Sequence, residues 1–287
     1  MTPLVYSQDA NPSDAVSRRL EEVLAAGRTR FQEYLFFRSR TNGVTIVLDG
    51  DVQSCEADEA IYHEALVHPA MLLSEEPRTV LVMGGGEGAT AREVLRHPSV
   101  ERVVMVDIDR EFVDLCRRFI PEWGRSAFAD PRLEVRYEDI FDYLARTPDS
   151  FDVAIGDLVD APDPVSPAAE LYSRSFYERL APRIREGGIL ATQAGALRVG
   201  DDPDRRTARA GLAARFASVA TYGIVVPSFY HLWGFVVASN RALELAPGAL
   251  FERFEREAGR RGLGLPATGA RALAAAFYPP AAVRAGE

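Results

Sequence analysis

The spacing of apolar and polar residues changes twice along the chain, and each change marks a new kind of structure. Ser13 to Ala26 reads as a helix, with Ser13 as its cap and Gly27 ending it. From Arg30 to Cys55 the β-formers come in short runs, broken at Thr41-Asn42-Gly43 and at Asp49-Gly50. Both breaks are hairpin signals, so this stretch predicts a small antiparallel sheet. Asp58 then caps a helical stretch through Ile61, Ala65 and Leu66 that should finish before Pro69.

After Pro77 strands and helices alternate for more than a third of the chain. Thr79–Met83, Arg102–Asp107, Leu133–Tyr137, Phe151–Gly156 and Gly188–Gln193 are β-rich, and helical patterns such as Thr90–Arg96 and Glu111–Arg118 lie between them. That alternation predicts a doubly wound, largely parallel sheet. Thr221–Val226 and Gly234–Ser239 follow as a late hairpin, and residues from Ala249 onward read as covering helices. A late hairpin suits the seven-stranded sheet of adenosylmethionine-dependent enzymes, whose last strand runs antiparallel; a dinucleotide fold has no such requirement. The expected fold is therefore α/β, a seven-stranded methyltransferase-like Rossmann sheet with a small N-terminal antiparallel β domain. The expected division is 1–76 for the N-terminal helix, small sheet and linking helix, and 77–287 for the Rossmann-like domain.

Composition narrows the function only a little. The chain has 287 residues, is 47% hydrophobic and 26% charged, and carries no apolar run long enough to span a bilayer. Asp9 and Asp14 precede any apolar stretch, unlike a secretory leader, so a cytoplasmic protein is expected. Cys55 and Cys116 are the only cysteines and lack the spacing of a zinc or redox pair. A net charge of −9 disfavours nucleic acid, whose phosphates need clustered Lys and Arg, and is compatible with a cationic ligand.

The strand Thr79–Met83 runs into Gly84-Gly85-Gly86-Glu87-Gly88-Ala89. Glycines here let the backbone turn sharply and approach a ligand, and the following helix offers free N–H groups. The loop also satisfies the loose dinucleotide form, so an NAD enzyme is a rival. Asp107, about twenty residues on, stands where a carboxylate accepts both hydroxyl protons of a ribose; Asp109 reads as a helix cap. Glu138-Asp139-Ile140 ends the third strand, where Asp139 serves either as a helix cap or as acceptor for an adenine amino group. Glu87 would repel a pyrophosphate or the carboxylate of adenosylmethionine by a few kcal/mol, on the order expected for partly buried charges. A donor that has lost its carboxylate escapes that repulsion.

The fourth strand ends in Gly156-Asp157-Leu158-Val159-Asp160, with Pro162, Asp163 and Pro164 behind it. Strand ends line the crevice of an open α/β sheet, so Asp157 and Asp160 should face a ligand. The chemistry that fits is displacement at a carbon bound to a sulfonium, which needs no metal, redox centre or covalent intermediate. Its nucleophile is a neutral amine, yet only about one alkylamine in a thousand is neutral at pH 7. A carboxylate within hydrogen-bond reach takes the proton as desolvation lowers the amine's pKa. Asp157 is the candidate base and Asp160 the candidate anchor for a charged nitrogen.

These residues resemble the spermidine synthase-like aminopropyltransferases. The resemblance spans nearly the whole chain, most densely Phe31 to Gln193, through Leu48-Asp49-Gly50-Asp51-Val52-Gln53, Asp58-Glu59-Ala60-Ile61-Tyr62-His63-Glu64, the Gly84–Gly88 loop with Arg92-Glu93-Val94, Asp107-Ile108-Asp109 and the Asp157/Asp160 pair. It implies that Gln32, Gly84, Gly86, Asp107, Asp139, Ile140 and Pro164 hold the nucleoside, and that Asp157 accepts the proton. It further implies that Tyr62, His63, Glu87 and Asp160 meet the amines, that decarboxylated S-adenosylmethionine is a co-substrate with no separate cofactor, and that the chain forms a homodimer or homotetramer. On the residues alone, His63 reads also as a helix-surface or satisfied core histidine and Tyr62 as a core aromatic on the same helix; His63 and His68 lie one residue too far apart for a zinc-protease motif.

Two positions depart from many members: Glu87 stands where Asp is common, and Ala161 where Pro is. Glu87, Gly156-Asp157-Leu158, Thr192-Gln193-Ala194-Gly195, Val226-Pro227-Ser228-Phe229 and Trp233-Gly234 resemble the thermospermine-forming branch. Phe229, Tyr230 and Trp233 are candidate walls for a long methylene chain, or simply packing for the last hairpin. The rivals are a methyltransferase using intact adenosylmethionine, the NAD oxidoreductase, and a non-catalytic polyamine or nucleoside binder, which would be expected to lack Asp157 or Tyr62.

Overall fold

The computed structural model describes residues 4–11, 14–159, 167–198 and 209–284. β1 (Leu4–Asn11) and β2 (Asp14–Leu20) form an antiparallel hairpin, and β3 (Glu22–Arg28), β4 (Glu33–Ser39), β5 (Gly43–Leu48) and β6 (Asp51–Cys55) form a four-stranded sheet. The two expected turns join β4 to β5 and β5 to β6. Asp49 and Gly50 both take positive φ, 49° and 90°, as a two-residue hairpin turn of the primed kind demands.

The helix expected over Ser13–Ala26 is not there; Ser13 itself lies outside the described residues, and the rest is β2 and β3. Backbone pairing to β1 and β4 overrides local preference. The strand pattern was disguised in two ways. In β2 the inward positions alternate as Val16, Arg18 and Leu20, but the middle one is an arginine. Arg18 is 5% exposed, donating to Gln8 and to the carbonyl of Ser228. In β3 the register shifts between Val23 and Ala25, which destroys any period of two.

The linking helix α1 (Glu59–Leu73) is buried from Tyr62 to Leu73 and does not stop before Pro69. Proline removes one helical hydrogen bond, leaving the carbonyl of Ala65 without its donor four residues on. The Tyr222 hydroxyl, 2.9 Å away, donates to that carbonyl instead. Nor does the Asp58 side chain cap α1: it accepts from the Ser228 amide and hydroxyl at 2.6 and 2.9 Å, tying the helix start to the last hairpin.

The main sheet has seven strands in the order β12-β13-β11-β10-β7-β8-β9, comprising β7 (Thr79–Gly84), β8 (Arg102–Asp107), β9 (Leu133–Tyr137), β10 (Phe151–Asp157), β11 (Ile184–Ala196), β12 (Ser218–Val226) and β13 (His231–Ser239). From β9 across to β11 neighbours are parallel; β13 runs antiparallel to both β11 and β12. Helices α2 (Ala89–Leu95), α3 (Arg110–Phe119), α4 (Pro121–Phe128), α5 (Ile140–Arg146) and α6 (Arg174–Leu180) follow in the chain, with Pro247–Arg260 and Ala270–Ala275 near its end. Alternate residues of β7 supply the two cores. Val80 and Val82 pack with Leu66, Met71, Phe235, Phe254 and Phe277, while Leu81 and Met83 pack with Val104, Ile140, Leu144 and Phe176. From β7 the chain first builds outward through β8 and β9, then crosses to place β10 on the other side. That reversal opens a crevice beyond the carboxyl ends of β7 and β10.

Candidate active site

The crevice is built where β7, β8 and β10 end and α1 passes beside them. Gly84 has φ +78°, and a Cβ there would sit 2.1 Å from the Asp157 carbonyl oxygen, so only glycine lets the two strand ends lie together. A Cβ on Gly86 would stand 2.9 Å from an Asp107 carboxylate oxygen and equally close to the Phe112 ring. The glycines thus bring the loop onto the two carboxylates singled out for nucleoside and amine.

Asp157, the last residue of β10, accepts from the Tyr62 hydroxyl at 3.0 Å and from the Thr90 hydroxyl at 2.6 Å. His63 is fully buried; its Nε2 lies 3.2 Å from Glu87 Oε1 and 4.0 Å from Asp157 Oδ2, without the alignment of a hydrogen bond to either. Its Nδ1 lies 2.7 Å from the Glu59 carbonyl oxygen and 2.9 Å from Glu59 Oε2. Burial opposes a charge on His63, but Glu59 and Glu87 outweigh it and raise the group to about 10. Burial raises Glu87, with Asp157 and Glu59 acting in the same direction and His63 against them. Five residues from four separate segments, Tyr62-His63, Glu87, Thr90 and Asp157, therefore form one polar cluster.

Asp107 keeps some solvent contact, yet protein surrounds it on nearly every side. Burial pushes its carboxyl up to about 7, against the Asp109 amide that donates to it at 2.8 Å and with the charges of Asp109, Asp157 and Glu87. Asp109 is a cap for α3, as expected, accepting from the Phe112 amide at 3.0 Å. Its second oxygen accepts from the Thr29 hydroxyl at 2.5 Å and from Gln32 Nε2 at 3.0 Å. Gln32 is thereby held two residues from Asp107. Asp139 caps α5 through the Phe141 amide at 2.7 Å, using one carboxylate oxygen. Ile140 is only 7% exposed and belongs to the core with Leu81 and Met83.

Asp160, Ala161, Asp163 and Pro164 lie outside the described residues. Before them, Gln193 and Tyr172 hold the strand exit: Gln193 Nε2 donates to the Leu158 carbonyl at 3.1 Å, and the Tyr172 hydroxyl donates to that of Val159 at 3.0 Å. The candidate aromatic wall is divided. Phe229 packs on Tyr62 and Trp233 at centroid distances of 5.9 and 4.5 Å, so the Phe229 ring adjoins the cluster around Asp157 and the Trp233 ring continues the wall behind it. Tyr230 instead is more than half exposed beneath the Arg18 guanidinium.

Sequence reasoning missed Thr90 and gave Glu59 no role. Thr90 had a faint signal as the second residue of the helix after the glycine loop; Glu59 had only its spacing of four from His63.

Residues 59–246 match the model of the spermine/spermidine synthase domain, and residues 4–56 that of the spermidine synthase tetramerisation domain. A polyamine aminopropyltransferase of Pseudomonas aeruginosa is 48% identical over 81% of this chain and 66% of its own length. One from Aeropyrum pernix is 47% identical, over 80% and 73%, and a thermospermine synthase of Arabidopsis thaliana is 39% identical, over 82% and 70%. Among solved structures, a spermidine synthase in complex with the transition state analogue AdoDATO superposes with a TM-score of 0.87 at 26% identity, covering 99% of this chain and 94% of that one. The spermidine synthase of Thermotoga maritima superposes with a TM-score of 0.83 at 25% identity, with the same coverage. Matched in sequence across both its N-terminal sheets and its crevice, and in fold along nearly its full length, the chain belongs to the spermine/spermidine synthase family of polyamine aminopropyltransferases.

Proposed function

We propose that the chain moves an aminopropyl group from decarboxylated S-adenosylmethionine to a triamine, with spermidine as acceptor and thermospermine as product. The observation that carries this reading is the continuity of Asp157, Tyr62, Phe229 and Trp233: a carboxylate at one end of an aromatic wall suits a cationic amine on a long methylene chain. The Arabidopsis relative named a thermospermine synthase supports the same acceptor. In this reading Asp107, Gln32, Asp139, Ile140, Gly84, Gly86 and Pro164 hold the nucleoside, and Glu87, His63, Tyr62 and Asp160 meet the amines.

The step needs little beyond placement. Asp157 takes a proton from the attacking nitrogen, whose lone pair forms a bond to the carbon attached to sulfur. The carbon–sulfur bond breaks, its electron pair stays on sulfur, and the positive sulfonium becomes the neutral thioether of methylthioadenosine. Thr90 and Tyr62 fix the carboxylate through both its oxygens, so its approach to the nitrogen is set before substrate arrives. The N-terminal strands, with Leu4, Val5 and Val23 exposed, are the surface for self-association into a homodimer or homotetramer; the tetramerisation-domain match over residues 4–56 supports this.

Initial rates with putrescine, agmatine and spermidine, followed by chromatography against spermine and thermospermine, test the acceptor. Spermidine should be used fastest and thermospermine should accumulate. A strong preference for putrescine or agmatine would replace the triamine reading with spermidine formation or agmatine aminopropylation.

A further inference from the structure

His63 sits between the two carboxylates of the amine site, and its charge is decided from behind. Both groups that Nδ1 meets, the Glu59 carbonyl and the Glu59 carboxylate, are acceptors, so Nδ1 carries a proton. On the other side Nε2 faces two more carboxylates, Glu87 and Asp157. Glu59 is itself clamped: Arg92 donates to its two carboxylate oxygens at 3.1 and 2.9 Å. Arg92 is fixed in turn by the carbonyl of Trp123 and by Glu93, each at 2.9 Å. Glu93 closes the chain of contacts against His68 at 3.0 Å.

We propose that Glu59, clamped by Arg92, is a positioning residue that holds His63 as an imidazolium, and that this fixed cation lowers the pKa of the acceptor amine bound at Asp157. The consequence for the amine rests on the transfer reaction given above; the charge on His63 does not. The groups that face His63 are Glu59 from α1, Glu87 from the glycine loop and Asp157 from β10, with the Tyr62 ring edge-on at 5.0 Å. Glu59 is shared between Arg92 behind it and His63 in front, so a nitrogen at Asp157 meets two carboxylates, Glu87 and Asp157, and one imidazolium. A nitrogen hydrogen-bonded to Asp157 Oδ2 comes within several ångströms of Nε2, and like charges ~4 Å apart repel by about 4 kcal/mol at an effective dielectric constant near 20. Asp157 attracts the amine as a cation while His63 resists that cation, so the site binds the nitrogen and favours its neutral, nucleophilic form. This answers the difficulty that a carboxylate alone is a weak base for an alkylamine.

The test is an NMR titration of the full chain with histidine labelled in the ring, the His63 signal being assigned among the four histidines by its loss in His63→Gln. In the wild type His63 should stay protonated through pH 9; a ring that is neutral at pH 7 overturns the proposal with no variant needed. In Glu59→Gln the His63 midpoint should fall by two units or more, about a hundredfold in proton affinity. The kcat profile with saturating spermidine should rise only at higher pH, while binding of methylthioadenosine stays unchanged. An unmoved His63 midpoint in a folded Glu59→Gln overturns the role of Glu59, and Arg92→Lys, which retains a cation, should fall between the two. Because the titration is read on the free protein, a chain that transfers nothing to any polyamine would refute the reaction while leaving the His63 assignment standing or falling on its own signal.

Discussion

In the proposed reading, Asp107 gives the nucleoside site a pH dependence whose sign and size follow from its surroundings. A ribose presents two hydroxyl protons, and only the ionised carboxylate accepts both. Burial and the charges of Asp109, Asp157 and Glu87 hold Asp107 at about 7, so the protonated, less competent form predominates below that pH. Apparent affinity scales with the competent fraction, which predicts binding weaker by about twofold at pH 7 and about elevenfold at pH 6 than at high pH. Between pH 8.5 and pH 5.5 the expected loss is about thirtyfold. This lies within the ~1.5–3 kcal/mol that one hydrogen bond to a charged group contributes, so the fall should flatten at lower pH. Calorimetric titration with methylthioadenosine, which carries no net charge, measures this without involving the amine groups. Asp107→Asn should bind weakly at every pH and abolish the dependence. An affinity that stays flat from pH 8.5 to 5.5 in the wild type would refute the link between Asp107 and the ribose; the same slope in Asp107→Asn would move it to another group.

Asp157→Asn should bind methylthioadenosine as the wild type does and lose transfer by about a hundredfold or more, as when a positioned base is removed; near wild-type turnover in a steady-state assay would end its role as proton acceptor. Decarboxylated S-adenosylmethionine should bind at least tenfold more tightly than adenosylmethionine. A carboxylate placed ~5 Å from Glu87 is opposed by about 3 kcal/mol at an effective dielectric constant near 20, and the His63 imidazolium cancels part of it. Equal affinities in a calorimetric comparison would mean that Glu87 does not face the donor's amine end.

What could be read along the chain and what could not divides on physical grounds. Asp107 and Asp157 were legible because each ends a strand, and a strand end in a doubly wound sheet has its place in space fixed by local pattern and topology. Hairpin turns at Gly43 and at Asp49-Gly50 were legible for a similar reason, since positive φ is a local demand. The N-terminal strands were not, because the residue that turns inward from β2 is Arg18, and its partners Gln8 and Ser228 come from other parts of the chain. Pro69 ends most helices; here Tyr222, more than 150 residues away, supplies the donor that proline lacks. Spacing along one element reveals a carboxylate, but not which protonation state its neighbour takes. The acids of the crevice can therefore be found one strand at a time, whereas the cation between them cannot: His63 is charged because Glu59 and Glu87 flank it, and Glu59 is held in place by Arg92, a pairing that exists only once α1 lies against α2.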